Sequence, residues 1–149
     1  MYKDTVTLYC RKHEATGDLW YPTVLEGVDL NTDKAALVAL YGETCQDSAK
    51  LHIKYDIVNA SINIAGKVWH PQKEWASLPN EELEKAIAFQ TGENFGFFVT
   101  GAQNTEVVND EDYTEGFYDY MNKKYDGVYA ITTVGGPYSV IQHFEILGK

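Results

Sequence analysis

From Thr5 to Cys10 apolar and polar positions alternate, with Val6, Leu8 and Cys10 on one face, which predicts a half-buried strand. The polar stretch Arg11 to Asp18 ends in Thr16-Gly17-Asp18 and reads as a turn. β character resumes from Leu19 to Leu25 through Trp20, Tyr21, Thr23 and Val24, so the two strands are expected to pair as a hairpin. Pro22 cannot donate to a ladder and argues for an edge or a strand start. After Asn31-Thr32-Asp33 comes the apolar run Lys34 to Tyr41, either a short helix capped by Asn31 or Thr32 or a buried strand. Periodicity does not arbitrate over so few residues, and the β-rich context favours the strand.

Gly42 to Ser48 reads as loop. Leu51, Ile53 and Tyr55 then alternate with His52, Lys54 and Asp56 as another half-buried strand, and Ile62 and Ile64 continue onto a neighbour past the polar Asn59 and Ser61. Lys67 to Trp75, with Pro71 and two tryptophans, reads as an irregular segment with a packed aromatic. A helix is expected next, with Asn80 as N-cap, Glu81 and Glu82 in the first turn, Leu83, Ala86 and Ile87 as its apolar stripe, and Thr91-Gly92 as its end. A Glu81–Lys85 pair would add about 0.2–0.5 kcal/mol to it.

Phe95 to Val99 is a dense aromatic strand leading to Gly101. Asn104 to Thr114, poor in apolar residues and carrying Glu106, Asp110, Glu111 and Asp112, reads as a flexible loop, and Glu115 to Lys123 as a short helix or turn. The chain then closes on two β-rich runs, Val128 to Val134 and Tyr138 to Leu147. Gly135-Gly136-Pro137 between them signals a hairpin turn. In the second run Val140, Gln142, Phe144 and Ile146 share one face, and Ile141, His143 and Glu145 the other, the outer one. The fold class that follows is mainly β (α+β): a small antiparallel β-barrel or sandwich with one or two short helices, residues 1–149 forming a single domain.

Composition narrows the function more than the fold. A chain of 149 residues, 44% hydrophobic and 23% charged, buries enough surface to fold without a metal or a disulfide. Twenty-two acidic against twelve basic side chains give a formal net charge of −10, which repels nucleic-acid phosphate and argues against sequence-reading or phosphate-clamping roles. A channel through which DNA slides without sticking would be acidic too. Cys10 and Cys45 stand in no metal or CxxC spacing and are expected to be free thiols. No signal-peptide pattern opens the chain, no apolar run is long enough to span a membrane, and the Asn59-Ala60-Ser61 sequon is read as chance.

Candidate chemistry is sparse. The acidic cluster Asp110, Glu111, Asp112, Glu115 and Asp119 invites a calcium reading, but Glu115 stands where an EF-hand loop needs glycine. His13, His52, His70 and His143 fall in four different elements with no HxH or HExxH pair, leaving ligation only by residues distant in sequence. No GxSxG, P-loop or GxGxxG occurs. No catalytic, cofactor-binding or metal-binding residues are therefore assigned, and no cofactor is expected. The aromatics stand out: Trp20, Trp69, Trp75, Phe95, Phe97, Phe98, Phe117, Tyr118, Tyr120 and Phe144 mark either a packed core or an interface.

Two stretches carry a resemblance. Asp4-Thr5-Val6-Thr7-Leu8-Tyr9 with Gly17-Asp18-Leu19-Trp20-Tyr21-Pro22-Thr23-Val24-Leu25-Glu26-Gly27-Val28 resembles the start of small minor capsid and head-closure proteins of tailed phages and prophages of Gram-positive bacteria. The closing Tyr125-Asp126-Gly127-Val128-Tyr129-Ala130-Ile131-Thr132-Thr133-Val134, then Gln142-His143-Phe144-Glu145-Ile146-Leu147-Gly148-Lys149, is similar to the hairpin ending in a His-aromatic-Glu motif in those proteins. The resemblance implies a virion structural protein at the head–tail junction, a head-closure (stopper) or minor capsid protein that works by ring assembly without catalysis. Its implied partners are the portal or adaptor, tail-completion proteins and copies of itself in a homo-oligomeric ring. DNA would pass nearby without sequence-specific binding, no membrane would be involved, and the location would be the virion, preceded by the bacterial host cytoplasm. The insertion from Lys67 to Thr91 exceeds a minimal barrel and makes tail-completion protein an equal label. Two readings from other classes stand beside it: a carbohydrate- or ligand-binding β-sandwich module, and a small hydrolase using a carboxylate pair.

Overall fold

The structure, a computed structural model, describes residues 2–42 and 47–149. Strand β1 (Asp4–Lys12) and β2 (Leu19–Asn31) form the expected antiparallel hairpin. Gly27, at φ +67°, takes the extra position of a bulge opposite Asp4 and Thr5. The bend there lets Leu19–Val28 pair with β1 while Asp29–Asn31 pair with β3 (Ala49–Lys54). Pro22 lies inside β2, yet its carbonyl accepts from Lys67 Nζ at 3.1 Å, so its missing N–H falls on a side without a ladder, as the edge argument required.

Lys34–Tyr41 is a helix, α1, and not the strand that context favoured. Asp33 decides this, and neither Asn31 nor Thr32 is the cap: its carboxylate accepts from the amides of Ala35 and Ala36 at 3.0 and 3.4 Å. Only Leu37 of this helix is buried, so the apolar run was never a core strand. Glu43 to Gln46, the centre of the expected Gly42–Ser48 loop, lie outside the described residues, as does Cys45.

A second, smaller sheet follows: β4 (Asp56–Val58), β5 (Ser61–Ile64), β6 (Lys67–Trp69) and, after α2 (Gln72–Ala76) and α3 (Asn80–Leu83), β7 (Ala86–Ile87). Its hairpin turns, Asn59-Ala60 and Ala65-Gly66, all have positive φ, the backbone of the two-residue turns that match strand twist. The long helix expected from Asn80 does not form. It stops after one turn capped by Pro79, and Ala86 and Ile87 leave it to pair in parallel with Val68 and Trp69. Burial of Leu83, Ala86 and Ile87 reads equally well as helix stripe or strand, and pairing with β6 satisfies the backbone here.

The chain returns through β8 (Phe97–Thr100), β9 (Val108–Asn109), a 3-10 turn at Asp110–Asp112, and α4 (Phe117–Lys124), ending with β10 (Val128–Tyr138) and β11 (His143–Gly148). The order β1-β8-β10-β11-β3-β2, with β2 back on β1, is a closed six-stranded antiparallel barrel, and β9 adds to its rim. The barrel, not the sandwich, is the form adopted. Gly135-Gly136-Pro137 is not the turn: it lies within β10, with a cis Gly136–Pro137 bond, and the chain reverses between Tyr138 and His143. Phe144 and Ile146 point inward as expected, but Val140 sits on the turn and is 99% exposed.

Val6, Leu8, Cys10, Leu25, Leu51, Ile53, Phe98, Ile131, Phe144 and Ile146 fill the interior, as in other small barrels. The segment 67–89 packs onto the same core, with Trp69 and Phe89 against Phe144 at 5.1 and 4.9 Å. A second cluster lies outside the barrel wall: Tyr9, Trp20, Phe97 and Val99 are roofed by Phe117 and Met121 of α4. Strands β1 and β8 are thus buried on both faces, which is why they read as aromatic-rich and only partly alternating.

Candidate functional site

Among the described residues, three surface regions gather polar or apolar groups of note. The first is the acidic end around the 3-10 turn. Here Asp110 Oδ1 accepts from Trp20 Nε1 at 2.9 Å and from the Phe117 amide at 2.8 Å, tying the turn to the barrel and to the start of α4. Asn109 caps the 3-10 turn from the other side. The stretch expected to be a flexible loop is therefore pinned by its own carboxylate. Arg11 lies between Trp20 and Phe95, 4.4 and 4.7 Å from the ring centroids, with Asp18 at 3.8 Å. Burial lowers its pKa and the nearby carboxylates oppose that shift. Of the cluster weighed for calcium, Asp110 is spent on structure and Glu115 pairs with Lys123 at 2.8 Å.

The second region is the tip of the β10–β11 hairpin. Tyr138, Val140 and Ile141 project from it, 43%, 99% and 67% exposed. The tip is not loose: Tyr55 Oη donates to the Tyr138 carbonyl at 2.8 Å and the Tyr55 amide to the Gln142 carbonyl at 3.3 Å. One residue beyond Tyr55 begins β4, an outer strand of the small sheet, carrying the exposed Ile57 and Val58. The tip's apolar side chains, left in water, are thus carried on a backbone fixed to Tyr55.

The third lies on the outer face of the barrel, where the register aligns three strands. Asp29 of β2 stands opposite His52 of β3, and His52 opposite Glu145 of β11. His143, two residues before Glu145 on the same face, completes the group. His52 Nε2 is 2.9 Å and His143 Nε2 3.7 Å from Glu145 Oε1, while Lys50 Nζ reaches the same oxygen at 3.7 Å. Burial pushes the Glu145 carboxyl up, but the His52 hydrogen bond and the Lys50 charge outweigh it and hold it below its ordinary range. Among the described residues this is the one cluster of three or more His, Cys, Asp or Glu able to hold a metal ion. The outer-face placement of His143 and Glu145 is as the sequence predicted. Their meeting with His52 is not legible there, because ninety-three positions separate the partners.

The ten prominent aromatics resolve toward core. Trp20, Trp75, Phe97, Phe98, Phe117 and Phe144 are buried, and Trp69, Phe95, Tyr118 and Tyr120 are half-buried. The exposed apolar residues are others. Cys10 is a free thiol inside the barrel, donating to the Ala88 carbonyl at 3.2 Å, and burial pushes its pKa up to about 11.

The chain belongs to DUF6751, a family of unknown function. The family's profile matches residues 1–149. No curated protein and no solved structure matches the chain. No described helix is long and apolar enough to cross a membrane.

Proposed function

We propose that this chain is a structural subunit of a tailed-phage or prophage virion at the head–tail junction, a head-closure, tail-completion or minor capsid protein that acts by assembling into a ring and catalyses nothing. The observation that carries the reading is the rigid apolar tip: Val140 and Ile141 stand in water on a hairpin fastened through Tyr55, and the chain running on from Tyr55 exposes Ile57 and Val58 as well. Large aliphatic groups held so far out gain by being desolvated against a neighbour, about 25 cal/mol per Å² of apolar surface covered. The resemblance at both ends of the chain supplies the kind of neighbour: another copy, the portal or adaptor, and tail-completion proteins. Because side chains fill the barrel, DNA would run through the ring's central channel and not through a subunit, and a net charge of −10 would keep it from sticking. The protein would reside in the virion, after a period in the host cytoplasm.

The test is co-expression with the portal, adaptor and tail-completion proteins of a tailed phage or prophage that carries this chain, followed by light scattering and electron microscopy of the purified particles. A ring or a stable complex is expected, lost in the double variant Val140→Asp/Ile141→Asp while the circular dichroism spectrum stays unchanged. A protein that remains monomeric with every one of those partners, and is missing from purified particles, overturns the reading.

A further inference from the structure

We propose that His52, His143 and Glu145 form a binding site for a divalent first-row transition metal of the Zn²⁺ class, on the outer wall of the barrel and independent of the assembly reading. The argument starts from protons. The Ile141 carbonyl lies 2.6 Å from His143 Nδ1, and a carbonyl only accepts, so Nδ1 carries the hydrogen. In the neutral ring, Nε2 is then a bare lone pair, and it faces the carboxylate oxygen of Glu145 at 3.7 Å. Two acceptors pointed at one another repel, and either a proton on Nε2 or a metal ion between them relieves it.

His52 presents the same problem from the opposite strand. Its Nε2 is 2.9 Å from that same Glu145 oxygen, and its Nδ1 faces Asp29 Oδ2 at 3.9 Å. One neutral imidazole has a single N–H and cannot serve both carboxylates. A second ring proton or a metal on Nε2 resolves this, and with the metal the remaining hydrogen sits on Nδ1 and faces Asp29. Both rings would show the arrangement usual for metal-bound histidine: one nitrogen on the ion, the other N–H directed at a carboxylate or backbone carbonyl.

The geometry is close to what such an ion asks. Bonds of about 2.0–2.2 Å to nitrogen and carboxylate oxygen set tetrahedral ligand separations near ~3.3 Å. The separations of 2.9 and 3.7 Å from Glu145 to the two imidazoles bracket that value, and all three ligand atoms lie within 4.8 Å of one another. Two imidazoles and one carboxylate suit Zn²⁺ and its neighbours better than Ca²⁺ or Mg²⁺, which want oxygen. The ligands are half-buried on fixed strands, their side chains 23%, 18% and 31% exposed, so the ion would keep at least one coordination position open to solvent. Lys50 is the competing cation and would swing away from Glu145 on loading.

Equilibrium dialysis of the full chain against Zn²⁺ at neutral pH, read by elemental analysis, tests this. One zinc per chain is expected, bound about tenfold or more weakly in His52→Ala, His143→Gln and Glu145→Gln, and more tightly in Lys50→Met. His143→Gln retains a donor for the Ile141 carbonyl, and circular dichroism checks that each variant is folded. His13→Ala and His70→Ala serve as controls, because each removes an imidazole paired with a lone carboxylate, Asp18 or Glu74. Zinc uptake no greater than that of a His52→Ala/His143→Gln double variant, or uptake that falls with the controls and not with Glu145→Gln, overturns the proposal.

Discussion

Replacing Asp110 by alanine should destabilise this protein far more than its place in a polar, acidic stretch suggests. One carboxylate oxygen, Oδ1, holds both the indole N–H of Trp20 at 2.9 Å and the first amide of α4 at 2.8 Å. Hydrogen bonds to a charged acceptor contribute about 1.5–3 kcal/mol each. Asp110 is half-buried, and water can partly replace it at the Phe117 amide, so about 1–1.5 kcal/mol for each bond is the reasonable scale. The Trp20 side chain is 1% exposed, and its N–H has no such substitute. The sum is about 2–3 kcal/mol, against about 0.5 kcal/mol for an ordinary surface substitution. With a mid-range urea slope of about 2 kcal/mol per molar, the midpoint should fall by about 1–1.5 M, read by tryptophan fluorescence and circular dichroism together. Asp110→Asn keeps the acceptor and loses only the charge, so it should cost about half as much. A loss under about 0.5 kcal/mol for alanine, or equal losses for the two variants, would refute the claim that this residue fastens the turn to the barrel.

Other outcomes follow from the same packing. Phe144→Ala should cost about 3–5 kcal/mol, since the ring is wholly buried and touches Tyr55, Trp69 and Phe89; thermal melting checks it, and a loss under about 1 kcal/mol would mean the small sheet does not lean on it. Gly96→Ala should cost about 1–3 kcal/mol, because a methyl there would lie 2.7 Å from the Tyr9 carbonyl oxygen, a backbone atom that cannot swing aside. Cys10 should resist a thiol reagent until urea unfolds the chain, tested in a Cys45→Ser background. Its folded pKa, near 11, lies above the unfolded value of about 8.5, so the unfolded state binds fewer protons between those two pH values. Its contribution is accordingly full below about pH 8.5 and lost as pH climbs toward 11, by up to ~1.4 kcal/mol per pH unit. The gap between native protein and Cys10→Ala in urea melts should narrow over that range, and a constant gap would contradict it.

The strands that alternate were legible because one face of each meets the core. Leu51 and Ile53, or Phe144 and Ile146, could be placed inward from spacing alone. Where apolar residues serve two masters the pattern was ambiguous. Ala86 and Ile87 fit a helix stripe and became a strand, and Ala35 to Leu40 fit a strand and became a helix because of one capping aspartate outside the run. The terminal turn shifted by a few residues because two glycines and a proline mark tight backbone, and tight backbone can be a kink inside a strand as well as a reversal. Of the surface features, the apolar tip follows from that shift, which carried Val140 from the expected core to the outside. The imidazole–carboxylate group follows from lateral register, a property of three strands at once that no local spacing encodes.

Strand β11 has its own consequence during synthesis. It fills the gap between β10 and β3, yet it leaves the ribosome after every other strand of the barrel. Until it arrives, the nascent chain carries two unsatisfied sheet edges flanking a cleft that lacks Phe144 and Ile146, a template for pairing with any passing strand. Products cut short by even this one segment should be captured by chaperones or proteases, so a cell making this protein would accumulate only chains whose barrel has closed.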